Sequence, residues 1–266
     1  MLFQLKASDM QLTLSDKLLT IRECSGLDDF EKCLALQRDI WQFSDLDITP
    51  LRMYIISARC GGFTFGAFDE TNELIGFAHA LPMVEGIKLY YYSHMLAVRR
   101  DYQNSGLGRY LKLAQRDRAL PNGVPLIVWT FDPLQSRNAY FNFEKLGVVT
   151  NSYKVNYYGS HSTSTLHAGL DTDRLFVYWW IASQRVANRI SGKRQQPQPN
   201  GPTIQIPDDI QMIKEKDIEL AREWQLRVRQ QFQELFQQGY YCVGFRRIAG
   251  GLGEYLFGED WQEDED

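Results

Sequence analysis

The feature that most constrains this chain is the loop Gln103-Asn104-Ser105-Gly106-Leu107-Gly108, which joins a predicted strand to a predicted helix. Residues 87–98 are rich in tyrosine and apolar residues, which is typical of a strand, and residues 106–120 precede the helix stop Pro121-Asn122-Gly123. Glycines let a ligand approach the backbone, and the first amides of a helix have no acceptor within it. Because the helix dipole adds partial positive charge, the loop predicts a diphosphate site made of main-chain N–H groups.

Two glycines at this spacing also occur in tight strand-to-helix turns that bind nothing, and on the glycines alone that alternative stays open. A dinucleotide site would need a third glycine and an acidic residue about 20 positions further on. A P-loop would need Gly-Lys-Ser/Thr, which is absent here. Arg99, Arg100 and Arg109 can add positive charge at the rim of the loop.

The residues around the loop carry a more specific pattern. Gln-x-x-Gly-x-Gly follows a strand that ends with Leu96 and Val98, and this resembles the acyl-CoA signature of the GNAT superfamily of N-acyltransferases. The resemblance covers about residues 18–158, and residues 136–147, which end in Lys-Leu-Gly, resemble the family's next helix. Together with the segment from Ile206 to Tyr240, the chain is similar to a bacterial branch of predicted acetyltransferases of unassigned substrate.

The resemblance implies transfer of an acyl group, first of all acetyl, from acyl-CoA to the amine of a small-molecule acceptor. It implies acetyl-CoA or another acyl-CoA as co-substrate and no metal. The implied CoA-binding residues are Leu96, Val98, Gln103, Asn104, Ser105, Gly106, Leu107, Gly108, Arg109 and Asn138. A protein of the same fold that senses acyl-CoA without turnover is the alternative, and transfer to oxygen or from a donor other than CoA is a third.

The catalytic acid is the weakest part of the resemblance. Many family members use a tyrosine just before the Glu-Lys-Leu-Gly ending, but the matching residue here is Phe143, which has no proton to donate. This difference favours the sensing alternative. Tyr140 lies three positions earlier on the same helix and is the substitute candidate, with half-buried packing as the competing explanation.

His94 is the candidate base. Strict alternation along the strand predicts that it shares a face with Leu96 and Val98, and an unperturbed imidazole titrates near neutral pH. A histidine satisfied within the core is the other interpretation. Asp132, at the end of the buried strand 126–130, can bind an acceptor cation or cap the next turn, and both readings stay open. Asn138 lines the cleft or faces solvent.

The order of predicted elements over residues 18–158 is β-α-α-β-β-β-α-β-α-β. This order predicts a mixed α/β fold, with a mostly antiparallel GNAT-like sheet flanked by helices. We expect an acyltransferase domain at 1–190 and a linker at 191–207, where Pro, Gly and Gln dominate. A C-terminal helix and hairpin at 208–266, with an acidic tail, should pack on the same domain.

Composition excludes several other classes. The net charge of −4 gives no basic field for nucleic acid. The longest apolar run, Leu175–Ala182, is too short for a bilayer, and the N-terminus lacks signal-peptide features, so we expect no membrane partner. Four scattered cysteines indicate reduced thiols in the cytoplasm, and the histidines lack metal-ligand spacing. A homodimer stays open.

Overall fold

The computed structural model describes residues 9–14, 16–42, 45, 47–159, 169–193 and 201–259. These residues divide into two compact units, the first ending at Ile127 and the second beginning at Val128. Within the described stretches, no helix combines the length and the apolar character that a membrane span requires. Each unit is built on mostly antiparallel strands with helices packed on them.

The strands of the first unit pair in chain order, each antiparallel to the next. They are β1 (Met10–Leu14), β2 (Lys17–Glu23), β3 (Phe63–Phe68), β4 (Leu74–Glu85) and β5 (Lys88–Val98). Every residue of β3 is buried, so this strand lies at the centre of the unit, whereas the tip of the β4–β5 hairpin is exposed.

Helices cover both faces of these strands. On one face, α1 (Gly26–Trp41) and α2 (Leu51–Arg59) contribute Phe30 and Tyr54 to an apolar cluster that includes Phe77 of β4. On the other face lies α3 (Leu107–Ala119), because a methyl group on Gly76 would meet the side chains of Leu107 and Leu111. Neighbouring residues of a strand point to opposite faces, which places the two sets of helices on opposite sides.

The second unit has the strand order β6-β8-β7-β10-β11-β9, with antiparallel pairing of β7 with β8 and of β10 with both β7 and β11. Its elements are β6 (Leu126–Phe131), α4 (Ser136–Tyr140) with a π-helical turn (Phe141–Leu146), β7 (Val149–Lys154), β8 (Arg174–Trp180), α5 (Gln184–Ile190), β9 (Thr203–Pro207), α6 (Ile210–Lys216), α7 (Ile218–Gln237), β10 (Tyr241–Ile248) and β11 (Leu252–Gly258).

Phe232 of α7 is the centre of the aromatic core of the second unit. Its ring centroid lies 5.6 Å from that of Tyr153, 5.0 Å from Tyr255 and 5.5 Å from Phe257. Aromatic pairs at these separations add to the free energy gained by burying their area. The predicted C-terminal helix is present as α7, and its apolar face joins the C-terminal hairpin to β7.

The predicted fold class is confirmed: the architecture is mixed α/β, with mostly antiparallel strands flanked by helices and a C-terminal helix and hairpin. The predicted linker 191–207 is wrong at its end, because β9 occupies Thr203–Pro207 and pairs with β11. Ile204 and Ile206 are buried and alternate with exposed Thr203 and Gln205, a period of two that the flanking prolines obscured. Residues 194–200 of that stretch and 260–266 of the acidic tail lie outside the described residues. The domain limits stay a prediction.

Candidate functional site

The loop between β5 and α3 is shaped by its own side chains. Tyr102 is buried and fixes the 3-10 turn Arg100–Tyr102. Ser105 Oγ donates to the Tyr102 carbonyl at 2.6 Å, and Gln103 Nε2 donates to the Val98 carbonyl at 3.1 Å. Asn104 and Gly106 adopt left-handed conformations with φ of 64° and 94°, which asparagine and glycine tolerate best. The sequence of the loop thus specifies its backbone path.

Several amides of this loop are open. Gly106 is the N-cap of α3, and no side chain caps the helix. Among the described residues, no protein acceptor faces the amides of Asn104, Gly106 or Gly108. Gly106 is exposed, and a Cβ added there would meet no atom within 4 Å. Because the turn is not sealed by packing and keeps free donors at the start of a helix, it can accept an anion.

The other residues predicted for CoA binding differ in what they can offer. Leu107, the first residue of α3, is buried, so its side chain cannot meet a ligand, and its amide already donates to Ser105 Oγ at 3.3 Å. Gln103 is exposed, and Leu96, Val98 and Arg109 are half-buried. Arg99, expected at the rim, is instead paired with Asp101 at 2.8 Å. Asn138 is exposed on α4 of the second unit.

A β-bulge sits at His94. His79 of β4 pairs with Met95 of β5 and Ala80 pairs with Ser93, so His94 has no partner across the ladder. Bulges re-aim side chains and are frequent beside active sites. Because the bulge interrupts alternation, the expectation that His94 shares a face with Leu96 and Val98 is wrong. His94 lies on the face of α1 and α2, where it contacts Thr49, and Val98 pairs with Gly76, which faces α3.

The surroundings of His94 favour its neutral form. Its Nε2 lies 3.2 Å from Thr49 Oγ1, and its ring lies 6.2 Å from the ring of His79 and 6.3 Å from that of Tyr92. The residue is exposed, but these neighbours displace water from the imidazole, and the desolvation lowers its pKa. Burial, with a contribution from His94, lowers the pKa of His79 to about 3. Both imidazoles therefore favour the unprotonated state.

Asp132 caps the turn after β6. Its carboxylate accepts from the amide of Leu134 at 2.9 Å and from Gln135 Nε2 at 3.3 Å. This geometry corresponds to the capping alternative, while contact with an acceptor stays a prediction. Among the described residues, no group of three or more His, Cys, Asp or Glu side chains could hold a metal ion.

Tyr140 is half-buried, and two cationic side chains lie near its ring. Lys145 Nζ lies 5.4 Å and the Arg247 guanidinium 5.5 Å from the ring centroid. Phe143 is fully buried, 6.4 Å from the ring of Phe131 and 5.8 Å from that of Tyr255. The position that matches the family's tyrosine is thus part of the core. The role of Tyr140 as an acid stays a prediction.

Comparison with known proteins agrees with the loop geometry. Residues 30–147 match the sequence profile of the acetyltransferase (GNAT) family. This segment of the chain is therefore similar to the GNAT acetyltransferase domain. The matched segment runs from α1 to the glycine that ends the π-helical turn, and so it includes His94 and the whole open loop.

Solved structures share this fold. A presumed GNAT acetyltransferase from Desulfovibrio desulfuricans is 17% identical, with a TM-score of 0.50 over 62% of this chain and 99% of that chain. A presumed acetyltransferase from Acinetobacter baylyi is also 17% identical, with a TM-score of 0.50 over 61% of this chain and 92% of that chain. No curated protein matches the chain in sequence. At these identities the structures support the GNAT fold and leave the substrate open.

Proposed function

We propose that the chain transfers an acyl group, first of all acetyl, from acyl-CoA to the amine of a small-molecule acceptor. The loop from Gln103 to Arg109 would bind the diphosphate of the co-substrate. The observation that carries this proposal is the set of open amides of Asn104, Gly106 and Gly108 at the start of α3. These amides lie inside the segment that matches the GNAT family. Backbone donors at a helix start suit a diphosphate without requiring a lysine.

The reaction needs an amine with a free lone pair. The amine nitrogen forms a bond to the thioester carbonyl carbon, the C–S bond breaks, and the ammonium proton must leave. His94 can accept that proton because desolvation lowers its pKa and keeps it neutral near pH 7. The thiolate then takes a proton from solvent or from Tyr140.

The sensing alternative has one observation in its favour, the buried Phe143 in place of an acidic hydroxyl. In that case the chain would bind acyl-CoA and hold it without turnover. A cytoplasmic location and a homodimer also stay predictions.

Calorimetry with two thioesters tests the diphosphate site. Acetyl-CoA and S-acetyl-N-acetylcysteamine present the same thioester, but the smaller compound lacks the diphosphate. We expect acetyl-CoA to bind at least about a hundredfold more tightly, because charge-assisted bonds to the open amides are the main attraction. Equal affinity for the two thioesters contradicts the assignment of the loop.

Thiol release in the presence of an amine panel separates the enzyme from the sensor. The panel would contain amino acids, aminosugars, polyamines and N-terminal peptides, each supplied with acetyl-CoA. Release that depends on one amine class supports transfer, and its loss in His94→Gln supports the base. Binding without release across the panel supports sensing, and absence of binding rules out both functions.

A further inference from the structure

The segment that joins α1 to α2 is fixed at Thr49 by a buried side chain. Gln37 of α1 is fully buried, and its Oε1 accepts from the Thr49 amide at 2.8 Å. Its Nε2 donates to the Thr49 carbonyl at 3.2 Å. Ile48 is buried on one side, and Pro50 on the other restricts Thr49 to an extended backbone. Thr49 therefore presents its side chain from a constrained position.

That side chain contacts His94. Thr49 Oγ1 lies 3.2 Å from Nε2 of His94, whereas Nδ1 has no protein partner among the described residues. A neutral imidazole carries a proton on one nitrogen and a lone pair on the other. When Nε2–H donates to Thr49, the lone pair is on Nδ1, which accepts from no described residue. In the other tautomer the threonine hydroxyl occupies the only lone pair, and Nδ1 cannot accept a proton.

We propose that Thr49 is a positioning residue whose hydroxyl oxygen accepts a hydrogen bond from Nε2–H of His94, and that this bond leaves Nδ1 as the base. This inference rests on the proposed function, in which His94 takes the proton of the acceptor amine. Gln37 supports the arrangement by holding the Thr49 backbone at two points. The bulge supports it as well, because it turns His94 toward the face that carries the α1–α2 connection.

Two titratable side chains, His79 and Tyr92, have rings that border His94. His79 of β4 is buried behind it, and its Nδ1 is 2.8 Å from Thr64 Oγ1. Its ring also lies 4.8 Å from that of Tyr54 of α2. Because the pKa of His79 is about 3, this side chain places no charge beside His94 at neutral pH. Tyr92 of β5 is another titratable side chain whose ring borders His94.

Nuclear magnetic resonance of the imidazole nitrogens tests the tautomer without any substrate. Thr49→Val keeps the side-chain shape and removes the hydroxyl, Thr49→Ser keeps the hydroxyl, and His94→Gln assigns the signal among the histidines. We expect an unprotonated Nδ1 in the wild type and in Thr49→Ser. In Thr49→Val the tautomers should mix, and the His94 pKa should fall by about half a unit or more, because the imidazolium loses a hydrogen-bond acceptor. An unchanged tautomer and pKa in Thr49→Val overturns the inference.

Turnover gives a second readout, with acetyl-CoA and the fastest amine of the panel. Thr49→Val should lower kcat about tenfold with an unchanged KM for acetyl-CoA, and Thr49→Ser should recover most of that loss. In the His94→Gln background, Thr49→Val should have no further effect. Equal losses in the two Thr49 variants, or additive losses with His94→Gln, overturn the inference. If acetyl-CoA does not bind, the proposed function fails, and the resonance experiment still decides whether Thr49 sets the tautomer.

Discussion

Two strand-to-helix connections in this chain differ in whether the amides of their loops have protein acceptors. Between β5 and α3, the amides of Asn104, Gly106 and Gly108 have no protein acceptor among the described residues. Between β6 and α4, Asp132 accepts from the amides of Leu134 and, through its carbonyl, Gln135, while Pro133 has no N–H to satisfy. The loop amides of the first connection are therefore available to a ligand. In the second, here called the closed connection, Asp132 satisfies the loop amides of Leu134 and Gln135.

The closed connection is also tied to the C-terminal part of the chain. Ser136 Oγ donates to Asp208 at 2.7 Å, and the buried Tyr255 hydroxyl donates to the Pro133 carbonyl at 2.7 Å. Buried polar groups need such partners, because a buried group without a hydrogen bond lowers the free energy of unfolding. Similar positions in two strand–helix units thus leave backbone donors open in one case and join distant parts of the chain in the other.

The largest expected effect comes from placing a side chain in the open connection. If the loop binds the diphosphate as proposed, Gly106→Asp puts a negative charge beside it and should weaken acetyl-CoA binding by more than about a hundredfold, measured by calorimetry. Gly123→Asp is the matched control, because Gly123 also has positive φ (72°) and open space around its Cβ. If both variants bind acetyl-CoA like the wild type, the open connection is not the diphosphate site.

The next effect is the acid sensitivity of the first unit, which contains both described histidines. His79 has a pKa of about 3 when folded and about 6.5 when unfolded, so the unfolded chain binds the proton first as pH falls. The contribution of His79 to the free energy of unfolding is thus fully present above about pH 6.5 and declines as the pH falls toward 3. Urea unfolding at pH 7 and pH 4 should show a loss on the order of 3 kcal/mol that His79→Gln removes. An equally steep decline in His79→Gln contradicts this assignment.

A smaller effect is expected in the closed connection. Tyr255→Phe leaves the Pro133 carbonyl without its donor and should lower the free energy of unfolding by about 1–2 kcal/mol. Acetyl-CoA affinity should not change, since the open amides belong to the other connection. Chemical unfolding and calorimetry on the same variant measure both quantities. A loss of affinity without a loss of stability would contradict the assignment of the closed connection to stability.

The smallest effect is expected for Asp132→Asn. The asparagine keeps an oxygen that can accept from the Leu134 amide, so a capping residue should tolerate the change within about 0.5 kcal/mol. Turnover should also be unchanged if Asp132 only caps the turn. A lower rate at unchanged stability would instead identify Asp132 as a contact for a cationic acceptor, and Asp132→Ala provides the comparison in which the cap is lost.

The sequence carried most of the information on the fold because long periodic segments and turn residues act locally. The helix from Ile218 to Gln237 and the strand from Lys88 to Val98 follow from spacing and composition. Strand β9 could not be predicted in this way, because prolines flank it and because it pairs with β11, which is distant in the sequence. Strand β1 was likewise not predicted, and it forms by pairing with β2.

At the candidate site, local sequence specified the loop but not the face on which His94 lies. The glycines and Asn104 sit where the backbone requires positive φ, which is a local property. The bulge at His94 depends on the register between β4 and β5, and the approach of Thr49 depends on Gln37 in a different element. Such contacts arise from tertiary packing, so alternation alone assigned the wrong face.

The contact between Tyr255 and Pro133 joins residues 122 positions apart. During synthesis on the ribosome, the first unit can fold as soon as the residues up to Ile127 have emerged, because its strands pair in chain order. The second unit must wait for β10 and β11, and until then Phe232 lacks the rings of Tyr255 and Phe257 that cover it. A premature stop codon before Tyr241 would therefore produce a truncated chain with an exposed apolar core, which chaperones bind and proteases degrade.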